Sequence, residues 1–144
     1  MNSILLKTSK LITIILFVSM LSGCSLLATL LEGDDVIIFG TGTFDDGISQ
    51  EKRIFKQDED FLFEAQTSSN FKTTTIHFTL IKDDFGSETI YDDWEVSVDP
   101  TWNSLLYEFH LVEEDGEFEP GDYIVRMFKE DFEYVTEGTF TIIE

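Results

Sequence analysis

The 144-residue chain has one cysteine, so no intramolecular disulfide can brace it. It has two histidines, His77 and His110. With a single Cys they cannot form the His/Cys clusters that zinc sites use. They also leave little for a nucleophilic triad, which needs a positioned imidazole. Both fall within alternating runs and read as outward-facing strand residues. Nine Lys and Arg stand against 29 Asp and Glu. That shortage of cations excludes nucleic acid, whose phosphates require clustered basic residues. It also disfavours docking on anionic lipid headgroups. There is no Gly-rich phosphate loop, internal repeat or low-complexity tract, and no window has a convincing helical period. Aromatic residues are plentiful at 14%, which argues against disorder.

What is present begins with a tripartite N-terminus. Met1 to Lys10 carries two lysines and no acid, Leu11 to Leu21 is an apolar run (LITIILFVSML), and Leu21-Ser22-Gly23-Cys24 follows. The first two parts are the n- and h-regions of a secretory signal. The final four residues resemble the bacterial lipobox. That resemblance implies a diacylglyceryl group on the Cys24 sulfur and cleavage before Cys24. The thiolate is the nucleophile for lipid transfer, and Ser22 and Gly23 suit a narrow peptidase site. The competing reading is an uncleaved anchor over Leu11 to Leu31, which as a helix would be about 31 Å long. Either way Lys7 and Lys10 stay on the cytoplasmic side and the acidic remainder is exported. From Cys24 onward seven Lys and Arg face 29 acids, a net charge of −22. Residues 24–34 form a short tether, of which Ser25 to Asp34 spans at most about 35 Å. Through lipid on Cys24 it would keep the domain near the membrane of a bacterial cell envelope, facing away from the cytoplasm.

Residues 35–144 read as one domain of successive strands. Apolar and polar residues alternate with period two at Ile76-Phe78-Leu80, Trp94-Val96-Val98, Leu105-Tyr107-Phe109-Leu111, Tyr123-Val125-Met127 and Gly138-Phe140-Ile142. Val36 to Phe44, roughly Glu51 to Gln57, and Phe61 to Thr67 are further strands, although 48–57 could hold a helical turn. Asp45-Asp46-Gly47, the Asp83–Ser87 segment, Asp99-Pro100, Glu114-Asp115-Gly116 and Pro120-Gly121-Asp122 supply the reversals. Seven or eight short strands at this spacing predict an all-β antiparallel sandwich, with a small closed barrel as the rival. Glu119-Pro120-Gly121-Asp122-Tyr123-Ile124-Val125 and Glu137-Gly138-Thr139-Phe140-Thr141-Ile142 resemble the closing hairpin of immunoglobulin-like sandwiches. Tyr123 stands where those folds turn a tyrosine hydroxyl back to the backbone. Val125 stands where antibody domains carry a cysteine. The likeness is therefore to disulfide-free bacterial surface modules.

Chemistry is sparse in this pattern. Asp83, Asp84 and Glu88 around one turn, and Glu113, Glu114, Asp115 and Glu117 around another, offer carboxylates to calcium but lack EF-hand spacing. No other cofactor is expected. The aromatics near turns are Phe71, Phe85, Trp102, Phe118 and Phe132. Trp102, in Asp99-Pro100-Thr101-Trp102-Asn103, is the best candidate for a contact residue, since sandwich-end loops commonly carry binding. Its competing role is to cap the core between the sheets. These features predict a non-enzymatic binding module with a protein or small-ligand partner. A protease-inhibitor-like module using loop 99–103 is the alternative, and a hydrolase comes last.

Overall fold

The computed structural model describes residues 34–109 and 118–144. The signal segment, Cys24, the tether up to Gly33, His110 and the acidic run 113–117 lie outside these residues. Among the described residues there are nine strands: β1 (Val36–Thr43), β2 (Gly47–Glu51), β3 (Ile54–Lys56), β4 (Phe61–Gln66), β5 (Thr75–Asp84), β6 (Ser87–Ser97), β7 (Ser104–Phe109), β8 (Gly121–Lys129) and β9 (Tyr134–Ile143). They form a four-stranded sheet, β2-β1-β4-β7, and a five-stranded sheet, β3-β9-β8-β5-β6. In immunoglobulin lettering, β1, β4 and β7 take the places of A, B and E, while β9, β8, β5 and β6 take those of G, F, C and C′. The fold is a two-sheet β-sandwich with this strand order.

The described residues hold nine strands where seven or eight are expected, and 48–57 is strand, in β2 and β3, rather than the helical turn the sequence also allowed. Asp45-Asp46-Gly47 reverses β1 into β2, with Gly47 at a φ of 77° that favours glycine. The chain then crosses to the other sheet, where β3 runs parallel to β9 with Phe55 beside Ile142. That pair makes the second sheet mixed rather than wholly antiparallel. The first strand also ends at Thr43, which leaves Phe44 in the turn.

The alternation read from the sequence is the burial pattern of the central strands. Ile76, Phe78 and Leu80 of β5, Tyr123, Val125 and Met127 of β8, and Phe140 and Ile142 of β9 are all buried. They meet Phe39, Phe61, Phe63 and Ala65 of the other sheet in one core. Each fully buried aromatic of this kind stabilises by roughly 1.5–3 kcal/mol. Phe140 sits at the centre, 5.1 Å from Phe39, 5.0 Å from Phe61 and 5.3 Å from Tyr123 between ring centroids. β9 packs tightly on β1 at Gly138, where a Cβ would lie 2.8 Å from both Ile37 Cβ and Phe39 Cε2.

The corner before β8 forms as the sequence implies. Gly121 takes a φ of 151°, which suits only glycine, and Tyr123 folds back to donate its hydroxyl proton to the Glu119 carbonyl at 2.7 Å. Burial pushes the Tyr123 phenol well above its usual value, and the negative surroundings of Tyr91, Glu119 and Asp84 act in the same direction. Leu62 is buried yet lies outside the central core, on the alternate face of β4. The β1–β2 hairpin approaches β4 and shields that face.

Candidate binding surface

One end of the sandwich gathers the β4–β5 loop, the β6–β7 loop and the β8–β9 turn. The chain also enters there: Asp35 Oδ1 accepts from Ser68 N at 2.8 Å and from Ser68 Oγ at 3.0 Å, and Thr136 Oγ1 donates to the Asp35 carbonyl at 2.8 Å. The β6–β7 loop is built locally. The Asp99 carboxylate accepts from Thr101 Oγ1 at 2.7 Å and Thr101 N at 2.8 Å, and these hydrogen bonds hold its pKa below the ordinary aspartate value. Trp102 N then donates to the Asp99 carbonyl at 3.0 Å and closes the turn.

Three further carbonyls of this loop accept from the facing β4–β5 loop. Pro100 O accepts from Lys72 N at 3.0 Å, Trp102 O from Phe71 N at 2.7 Å, and Asn103 O from Thr67 N at 2.8 Å. Phe71, fully buried, anchors the facing loop in the core. The two loops are thus laced together beyond the last β4–β7 rung, Gln66 opposite Ser104. Loop 99–103 is rigid for that reason, without needing a disulfide.

Trp102 does not cap the core. Its side chain is 50% exposed, and the capping role falls to Phe71 and Phe118, both buried. Trp94 supplies the tryptophan contact with the core, stacking on Phe78 at 5.4 Å. The remaining turn aromatics divide into two groups. Phe132 stacks on His77 at 4.6 Å, Tyr91 on Phe118 at 5.5 Å, and Tyr134 meets Phe128 edge-on at 6.1 Å. Phe44, Phe85 and Trp102 are exposed and meet no other aromatic ring among the described residues. Phe85 stands alone at the tip of the β5–β6 hairpin, with a φ of 55°.

Phe44 and Trp102 share one open depression with Thr101, Asn103, Ser104, Leu105 and Leu106. It is shallow and open to solvent, with a volume of about 460 Å³. No lining residue is charged, in a chain carrying a net −20. The Asn103 amide, the Ser104 hydroxyl and the Trp102 indole N–H make no hydrogen bond among the described residues, whereas the Thr101 hydroxyl is committed to Asp99. Sequence reasoning missed Phe44. It reads as the last residue of a strand, and nothing local shows that the hairpin places it beside β7.

The other candidates do not assemble. His77 lies on the outer face of β5, its Nδ1 3.2 Å from Glu95 Oε1. Both Glu88 oxygens accept from Arg126, at 2.7 and 2.8 Å, so the Glu88 carboxylate is committed to that guanidinium. Asp83 Oδ1 accepts from Gly86 N at 2.6 Å. Among the described residues no group of three or more acidic, His or Cys side chains is placed to hold a metal. The second acidic run, 113–117, lies outside them.

No family model matches the chain, and no curated protein matches it. Among solved structures it is similar to the PmoD soluble domain from Methylocystis sp. ATCC 49242 (Rockwell), with a TM-score of 0.47 and 11% identity over 76% of this chain and 90% of that one.

Proposed function

We propose that this chain is a lipid-anchored, exported, non-enzymatic binding module of a bacterial cell envelope, held to a membrane through Cys24 and contacting its partner through Trp102 and Phe44. The anchoring part rests on the signal-like first 23 residues and the lipobox-like Leu21-Ser22-Gly23-Cys24. The observation that carries the binding part is the charge-free depression, where the exposed ring of Trp102 on the laced 99–103 loop meets the exposed ring of Phe44 from the β1–β2 turn. Exposed aromatics held in place without a packing role are what binding sites use as anchors.

The same loop weighs against protease inhibition. An inhibitor loop that enters a cleft as a substrate does must offer free backbone, yet the Asp99, Pro100, Trp102 and Asn103 carbonyls are all used internally. A hydrolase is also less well supported. A catalytic acid has its pKa pushed upward, whereas Glu88, Asp99 and Glu119 are all held low by hydrogen-bonded partners. Burial pushes Glu59 up, but Lys52 and the backbone at Lys56 outweigh it and leave it low.

The test is position-dependent crosslinking in living cells. A photoreactive amino acid at position 102 should capture a specific molecule, identified by mass spectrometry. The same label at Thr139, exposed on the other sheet, should not. Equal capture at both positions, or none at 102, would refute the assignment.

A further inference from the structure

We infer that the Phe44–Trp102 depression takes a neutral carbohydrate, a glycan segment without acidic groups. This rests on the reading of that depression as the binding surface and adds the chemical class of its ligand. The lining combines what a sugar ring requires and little that another ligand would use. Sugar rings present faces of C–H groups, slightly positive, which are attracted to the negative face of an aromatic ring. Phe44 and Trp102 offer such faces, since each is at least half exposed and neither meets another aromatic ring among the described residues. Sugar hydroxyls need donors and acceptors in the same place. The Asn103 amide, with two donors and an acceptor, and the Ser104 hydroxyl are both uncommitted there.

Charge selects among sugars. The lining has no Lys or Arg to pair with a uronate, phosphate or sulfate. Asp45 follows Phe44 directly and Asp99 closes the adjacent turn, so an anionic ligand meets repulsion on approach. A cationic ligand would find no carboxylate within the depression. A protein partner large enough for a stable interface would have to extend well past the lining onto the surrounding acidic surface. The rigid loop also favours a weak-to-moderate ligand of this kind, because little ordering entropy is lost on binding.

The experiment is isothermal titration calorimetry of the full chain in detergent with maltohexaose, cellohexaose and hexa-N-acetylchitohexaose. Hexagalacturonate serves as the anionic comparison. At least one neutral hexamer should bind, and the galacturonate should not. Trp102→Ala should weaken binding about 30-fold, the loss expected of an aromatic anchor. Phe44→Ala and Asn103→Ala should each weaken it severalfold. Trp102 is half exposed and bonds through its backbone, so these variants should stay folded, with unchanged circular dichroism and melting. No heat with any neutral hexamer overturns the inference, as does binding that survives loss of both rings. If position 102 then crosslinks to a protein, the surface stands and the ligand class is wrong. If it crosslinks to nothing, the surface assignment fails as well.

Discussion

Removing one oxygen from Tyr123 tests whether the corner before β8 stabilises the domain as its geometry implies. The Tyr123 hydroxyl is buried and donates to the Glu119 carbonyl at 2.7 Å. Tyr123→Phe keeps the ring, with its stack on Phe140 at 5.3 Å and its edge contacts to Phe118 and Tyr91. What is lost is the hydrogen bond, a net contribution of about 0.5–1.5 kcal/mol, since the exposed Glu119 leaves its carbonyl open to water. In a domain of this size about 1 kcal/mol lowers the melting temperature by roughly 4 °C. The expected drop is therefore about 2–6 °C, or about 0.5 M in urea midpoint for a 1 kcal/mol loss at an ordinary m-value. The control is Tyr134→Phe, at a half-exposed tyrosine, which should change stability by less than about 0.5 kcal/mol. Alkaline titration adds a second readout. Burial first, then nearby negative groups, raise the folded-state pKa of Tyr123 above the unfolded value near 10. Its stabilising contribution is complete below pH 10 and is lost as pH rises toward the folded value, because the unfolded chain ionises first. Wild type should therefore lose stability above about pH 10 more steeply than Tyr123→Phe. If Tyr123→Phe melts within 1 °C of wild type and shows the same alkaline slope, the corner is a geometric ornament rather than a brace.

Gly138→Ala should destabilise by about 1–3 kcal/mol in urea titration, since the new methyl would lie 2.8 Å from Ile37 and Phe39 and force the sheets apart. Arg126→Gln should lower the melting temperature at low salt, because Glu88 and Glu137 both pair with that guanidinium at 2.7 Å. The loss should shrink in 1 M NaCl as exposed pairs are screened. Arg126 also lowers the Glu88 pKa, so that stabilisation should be present above the ordinary glutamate value of 4.5 and fade as pH falls through the lower folded value. Cys24→Ala should abolish incorporation of labelled fatty acid and leave the unprocessed precursor on a gel. A normal processed size would refute the lipobox reading.

The fold was most legible where one face of a strand is buried. The alternation in β5, β8 and β9 comes directly from the sandwich interior, and the Pro120–Tyr123 corner is local enough to be read from its own residues. The first half of β6 was invisible, because residues 87–93 are exposed on both faces and leave no period. They are strand because the two-residue Phe85-Gly86 reversal lays them along β5. The parallel β3–β9 pair was also unreadable. Three residues carry little pattern, and their partner lies near the far end of the chain. The binding surface was half legible. Trp102 stands out beside Asp99-Pro100 as an aromatic in a turn. Its juxtaposition with Phe44 depends on how a distant hairpin curls over the four-stranded sheet, and no local rule encodes that.

The place where the chain enters has a mechanical consequence. Asp35 is pinned to Ser68 and Thr136, and β1 then runs alongside β4 from Val36 opposite Gln66 to Gly40 opposite Leu62. A pull on the N-terminus directed along β1 would load those rungs in shear, all at once, instead of peeling them apart one by one. Under a load in that direction the sandwich would yield abruptly, at high force, and stay intact under smaller loads.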